Sequence, residues 1–134
     1  MKAYHGTTKE NARKICAEGF SPDYFGQNGN HFGDGIYLTT TKKRARVYGS
    51  HVVTVEIDDT NIENLTDWYG AYMDACNAEF DKGTPQEEVN SAVGRGYREK
   101  YTQAGFAGIS LSPPVGTGKE MVIYDTAVIK EVRQ

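Results

Sequence analysis

Two short stretches, Tyr4-His5-Gly6-Thr7-Thr8 and Phe32-Gly33-Asp34-Gly35-Ile36-Tyr37-Leu38, constrain this chain more than any bulk property. Each is a brief apolar run broken by glycine or a small hydroxyl residue. That pattern describes a buried strand whose end presents backbone amides and a polar or aromatic side chain. A third stretch, Gly118-Lys119-Glu120-Met121-Val122-Ile123-Tyr124, sets a carboxylate at the head of another apolar run. Together they predict one pocket that draws an imidazole, a phenol and an acid from distant parts of the chain.

A length of 134 residues suits a single domain spanning 1–134, able to bury about two-thirds of its unfolded surface. No window reaches the roughly 18 apolar residues a membrane span needs. The start, Met-Lys-Ala-Tyr-His, lacks the apolar run of a signal peptide, so a cytoplasmic location and no membrane partner are expected. Cys16 and Cys76 fall on apolar helical faces and are expected as buried free thiols. His5, His31 and His51 are scattered, and no metal site is expected. A net charge of −3 with both signs interspersed argues against a dedicated nucleic-acid binder.

Along the chain, Thr7-x-x-Glu10 reads as a capping box for a helix bearing Ala12, Ile15 and Cys16 and ending at Gly19. From Gly19 to Gly35 turn formers and aromatics without a period predict a long binding loop. Gly35–Leu38 reads as a second strand, and Thr39-Thr40-Thr41 caps a helix running through Tyr48 to Gly49. His51–Ile57 alternates as a third strand. About 60–104 reads as a helical insert. Tyr69, Tyr72, Met73, Cys76 and Phe80 form one apolar stripe, expected to be core. Thr84-Pro85-Gln86-Glu87 starts a second helix that carries Val89, Val93, Tyr97 and Tyr101 and is weakened by Gly94 and Gly96. Phe106–Leu111, Glu120–Asp125 and Val128–Val132 read as strands, Ser112 to Gly118 as a loop, and the whole as an α+β fold.

The residue types suit a nucleoside-like ligand. Tyr37 and Tyr48 can sandwich a flat ring, Gly6 lets a ligand approach its backbone, and His5 and Thr7 offer partners to a diol. Singly, each has a structural explanation: a buried tyrosine is usually core, and a lone glutamate usually caps a strand edge. Their joint order resembles the ADP-ribosyltransferases of the poly(ADP-ribose) polymerase and diphtheria-toxin type, through His5-Gly6-Thr7, Phe32-Gly33-Asp34-Gly35-Ile36-Tyr37, Tyr48 and the strand led by Glu120. It covers roughly residues 3–57 and 105–132.

The resemblance implies a split antiparallel sheet with flanking helices, and NAD as co-substrate without a metal. It implies that His5 and Thr7 hold the adenosine ribose, that Gly6 pairs with the carboxamide, and that Tyr37 and Tyr48 flank the nicotinamide. Glu120 would accept from the 2′-hydroxyl of the nicotinamide ribose, completing a catalytic triad with His5 and Tyr37. The implied activity is mono-ADP-ribosyl transfer to a macromolecule, protein rather than nucleic acid, and a compact chain of this kind suits an effector of a bacterium or phage. Two departures stand out: Ala45 replaces the serine many members carry, and Gly118-Lys119 replaces the acidic or amide residue used by toxins that modify arginine or asparagine. An RNA 2′-phosphotransferase or a non-catalytic NAD or ADP-ribose binding module are the rival readings.

Pro113 to Glu120 imitates a P-loop but fails on spacing, with Pro113 where a glycine belongs and Glu120 where a Ser or Thr belongs. The run Lys42, Lys43, Arg44, Arg46 reads mostly as a solvated face, with one cation, Arg46 for instance, free to meet a pyrophosphate or an acidic target.

Overall fold

The structure, a computed structural model, describes residues 1–21, 30–113 and 118–134. In chain order its elements are β1 (Lys2–Thr7), α1 (Lys9–Glu18), β2 (Ile36–Thr39), α2 (Lys42–Ala45), β3 (His51–Ile57) and β4 (Ile62–Leu65). Then follow α3 (Trp68–Asp81), α4 (Val89–Gln103), β5 (Gly108–Leu111), β6 (Glu120–Ile123) and β7 (Ile129–Arg133). The described strands form one seven-stranded sheet in the order β4-β5-β6-β2-β1-β3-β7. This is an α+β fold. The sheet is mixed rather than wholly antiparallel, because β4 runs parallel to β5 while the other neighbours are antiparallel.

The sheet is weakest at its middle. β1 and β3 share six partner pairs, whereas β1 and β2 share one, Tyr4 with Thr39. Strand alternation then assigns two cores to two faces. Ile36, Leu38, Val53, Val55, Met121 and Ile123 pack under Ala12 and Ile15 of α1. On the opposite face Ile109, Leu111, Val122 and Tyr124 pack with Phe32 under Tyr72 and Cys76 of α3 and Val89 and Val93 of α4.

Several local expectations shift for identifiable reasons. Thr7 is still paired to His51 in β1, so the cap passes to Thr8, whose Oγ1 accepts from the Asn11 amide at 3.2 Å. Gly19 ends α1 as expected, at φ 79°. The second strand runs one residue later, to Thr39. The helix capped by Thr41 lasts a single turn, and a further turn carries the chain to Tyr48. The helical reading of 60–104 misses β4, a four-residue strand whose partner β5 lies far along the chain. Thr84 donates to Glu79 at 2.7 Å instead of capping, and Gln86–Glu88 forms a 3-10 turn before α4. Of the α3 stripe only Tyr72 and Cys76 are buried; Tyr69, Met73 and Phe80 are exposed. Both cysteines are free, Cys76 buried and Cys16 half-buried. Of the last three strands, β5 starts two residues later than expected, β6 ends two residues earlier, and β7 is shifted by one residue to Ile129–Arg133. Parts of the two loops expected at 19–35 and 112–118 lie outside the described residues.

The helices pin the Phe32-Gly33 turn. Phe32 sits among Trp68, Tyr72 and Tyr97, with ring centroids 5.4, 5.0 and 5.2 Å away. The Arg98 Nε donates to the Asp34 carbonyl at 2.8 Å, and Asn30 Nδ2 to Ser91 Oγ at 3.0 Å. Gly94 is where this loop crosses α4: a Cβ there would lie 2.2 Å from the Asn30 oxygen and 2.6 Å from the Gly33 nitrogen. Gly96, in the same helix, has nothing within 4 Å of such a Cβ.

The two glycines therefore separate in sign. Gly94→Ala is expected to destabilise the fold by about 1–3 kcal/mol through overpacking, and Gly96→Ala to stabilise it by about 0.5–1 kcal/mol through helix propensity. Urea denaturation of both variants checks this.

Candidate functional site

The register of β2 on β6 builds the site. Tyr37 lies opposite Val122 and Thr39 opposite Glu120, so Tyr37 and Glu120 share one face of the sheet. A cleft of about 140 Å³ opens on that face, lined by His31, Phe32, Tyr37, Tyr48, Trp68, Leu111 and Glu120.

Tyr37 is fixed rather than mobile. Its hydroxyl donates to the Gly33 carbonyl at 2.6 Å and accepts from the Phe32 amide at 3.1 Å. The Tyr124 hydroxyl donates to the Phe32 carbonyl at 2.6 Å and completes the clamp. Burial holds both phenols well above the usual tyrosine range, so each stays a neutral donor. Tyr48 is 40% exposed and closes the cleft from the turn after α2.

Glu120 is half-buried. Loss of water pushes its carboxyl above the ordinary carboxylate range, and the Arg44 guanidinium and the Tyr48 hydroxyl, both bonded to it, pull it back. Arg44 Nη1 stands 3.1 Å from Glu120 Oε1. Burial, reinforced by the negative Glu120, raises Tyr48. Of the basic run, then, it is Arg44 and not Arg46 that turns inward; Lys42, Lys43 and Arg46 are exposed. The sequence reading also missed His31, Trp68 and Leu111. Trp68 is the single tryptophan of the chain. Its Nε1 donates to the Ser112 carbonyl at 2.7 Å, a contact set by the unforeseen pairing of β4 with β5.

His5 is not among the residues lining the cleft. Paired with Val53, it belongs to the opposite face, 2% exposed, with its ring edge-on to Phe20 at 5.2 Å. It fills the place where β1 and β2 part, and its Nδ1 lies 3.0 Å from the Tyr37 carbonyl. A carbonyl can only accept, so Nδ1 carries the proton and Nε2 is left as an acceptor. That Nε2 has no hydrogen-bond partner among the described residues. A buried unpaired acceptor is costly to leave so and suits a ligand hydroxyl. Thr7 is buried at the end of β1. Gly6 is required by packing as well: a Cβ there would fall 1.7 Å from the Ala45 carbonyl oxygen, which lies directly over it.

A larger hollow of about 470 Å³ lies between α3 and α4, with Ala71, Ala75, Ala92 and Gly96 in its lining and Trp68 shared with the cleft. Of its two acids, Asp67 and Glu79, the second is engaged by Thr84 and Lys82. The smaller cleft is the one with converging chemistry. No group of three His, Cys, Asp or Glu side chains suited to a metal occurs among the described residues, and no described helix is long and apolar enough to cross a membrane.

The catalytic-domain family of poly(ADP-ribose) polymerases matches residues 1–56. That span contains His5, Gly6, Thr7, Tyr37, Arg44 and Tyr48 and ends before Glu120. It supports an ADP-ribosyltransferase-like relationship for this part of the chain. No curated protein matches the sequence. Among solved structures, the crystal structure of an anti-CRISPR protein is similar at 15% identity, with 99% of this chain and 93% of that chain covered and a TM-score of 0.44.

His5 gives the fold a pH dependence. Burial lowers its pKa below the ordinary 6.5, although the bond to the Tyr37 carbonyl opposes the shift. The unfolded chain then binds a proton that the folded chain refuses, so this contribution is present above about pH 6.5 and is lost as pH falls from there through the folded value. Denaturation at stepped pH is expected to show stability declining over that window in the wild type and a flatter profile in His5→Gln.

Proposed function

We propose that the protein is an NAD-dependent mono-ADP-ribosyltransferase, with residues 1–134 as one such domain and about 60–104, which holds β4, α3 and α4, as its insert. The observation that carries this is the meeting of Tyr37, Tyr48 and Glu120 around a cleft of about 140 Å³. That volume suits a single aromatic amide ring, whereas pockets for whole ligands run to roughly 300–1,000 Å³. The similarity of residues 1–56 to poly(ADP-ribose) polymerase catalytic domains supports the same reading.

On this reading the nicotinamide ring enters between Tyr37 and Tyr48, with its carboxamide at the Gly6 backbone. The adenosine ribose then falls to His5 Nε2 and Thr7, on the other side of the parting between β1 and β2. The bond between nicotinamide nitrogen and ribose C1′ breaks with its electron pair going to the ring, so nicotinamide leaves neutral and positive charge develops on the ribose. Glu120 accepts from the adjacent 2′-hydroxyl, and its fixed negative charge stabilises that charge more than the ground state. The acceptor attacks C1′ and gives up its proton. We take the acceptor to be a protein side chain rather than a nucleic acid, in keeping with the net charge of −3, and NAD as the co-substrate with no metal required.

Glu120→Gln removes the charge and keeps the shape. It is expected to lower kcat for nicotinamide release on the order of 10²- to 10³-fold, with NAD affinity little changed. Nicotinamide release and transfer of label from radiolabelled NAD to lysate protein check this. A wild type that binds NAD without releasing nicotinamide would make the chain a binding module, and turnover confined to phosphorylated RNA would make it a 2′-phosphotransferase.

A further inference from the structure

Glu120 does not face its cleft alone. We infer that Arg44 is a positioning residue: its guanidinium, lodged against the Gly118 backbone, holds the Glu120 carboxylate in place and ionised beside Tyr37 and Tyr48. For its consequence in catalysis this rests on the transferase reading above; as a statement about the carboxylate it does not.

Three observations carry it. First, the pair is direct, with Arg44 Nη1 3.1 Å from Glu120 Oε1, and neither side chain is freely solvated, at 34% and 26% exposure. An exposed pair of this kind is worth little; in one partly withdrawn from water the attraction between the charges is stronger, against a larger cost of desolvation. Second, the arginine is held along its length. Its backbone amide donates to the Thr41 Oγ1 at 3.3 Å. Gly118, at φ +88°, passes so close that a Cβ there would stand 3.3 Å from both Cδ and Nε of Arg44. Two further bonds tie the entry of β6 to the same turn: Lys119 N to Thr40 Oγ1 at 2.7 Å and Thr40 N to the Lys119 carbonyl at 3.0 Å. The segments that carry the two ends of the ion pair are thus bonded to one another through the main chain. Third, the neighbouring cations are turned elsewhere. Lys119 Nζ donates to Asn64 Oδ1 at 3.1 Å, Lys42 lies over the Tyr4 ring at 5.8 Å, and Lys43 and Arg46 are exposed.

The need for such a partner follows from the surroundings. Leu111, Trp68 and Phe32 strip water from the cleft, which favours the neutral acid. Among the described residues, the titratable and charged groups that face Glu120 are Arg44 from α2, Tyr48 from the turn after it, and Tyr37 and His31 across the cleft. Of these, Arg44 is the one whose charge is permanent. A protonated Glu120 would offer an oxocarbenium no countercharge, so the arginine sets the pH at which the acid becomes useful.

The test compares wild type, Arg44→Gln and Arg44→Lys by two readouts. Carbon-13 NMR of protein labelled at the glutamate carboxyl carbon follows the Glu120 titration directly, assigned by the signal missing in Glu120→Gln. Nicotinamide release gives the pH profile. Arg44→Gln is expected to move the carboxyl titration and the acid limb of kcat to higher pH. At pH 6 kcat falls on the order of tenfold, the loss of one charge-assisted hydrogen bond, while KM for NAD stays within about twofold. Arg44→Lys restores most of the titration. Gly118→Ala, which keeps the charge and displaces the stem, shifts it by less in the same direction. A carboxyl titration unchanged in Arg44→Gln overturns the inference. If the titration moves but the wild type releases no nicotinamide, Arg44 keeps its hold on Glu120 and the transferase reading falls instead.

Discussion

The pairing of β2 with β6 is the constraint from which the rest of this molecule follows. Tyr37 opposes Val122 and Thr39 opposes Glu120, and a slip of one residue would carry the phenol and the carboxylate to opposite faces of the sheet. The register is enforced from both sides. Ile36 and Leu38 meet Ile123 and Met121 under α1, while Val122 is buried with Ile109 on the other face. A shifted pairing would carry Met121 and Ile123 out of the core under α1 and put Glu120 in their place. The placing of Tyr37 and Glu120 on one face therefore follows from the packing of this strand pair in both cores.

Where β1 leaves β2 the ladder gives out, and His5 takes its place. The imidazole supplies the Tyr37 carbonyl with a donor that the parted strand cannot, and in doing so points Nε2, which has no partner among the described residues, into buried surroundings. The same side chain thus supports the strand that carries Tyr37. Imidazole, phenol and carboxylate do not crowd into one space; the first stands behind the second, across the sheet, and a ligand long enough to reach both must pass the parting between the strands.

The helices of 60–104, which share no motif with the rest of the site, do as much to shape it. Phe32 is caged by Trp68, Tyr72 and Tyr97, the loop crosses α4 at Gly94, and Arg98 holds the Asp34 carbonyl. The Phe32-Gly33 turn in its turn receives the Tyr37 hydroxyl. Precision at Tyr37 is thereby inherited from a segment that looks, in sequence, like a spectator. Glu120 is served in a parallel way by Arg44 and Tyr48, two residues of the turn region between β2 and β3.

Period and punctuation were enough to place most elements. The alternation of 51–57 is β3 to the residue, Gly19 ends α1, and the apolar heads of 36–38 and 120–123 are strands, because these signals are local and each residue votes for itself. The order of His5, Tyr37, Tyr48 and Glu120 along the chain resembles that of ADP-ribosyltransferases, a relationship that the family match supports over residues 1–56. Tertiary structure decided what pairing decides: that β4 exists and runs parallel to β5, that Arg44 and not Arg46 meets the acid, that Trp68 walls the cleft, and that His5 looks away from it. Those facts depend on which strand lies beside which and by what register. That is a property of contacts between residues far apart in the chain, and no window of sequence contains both partners.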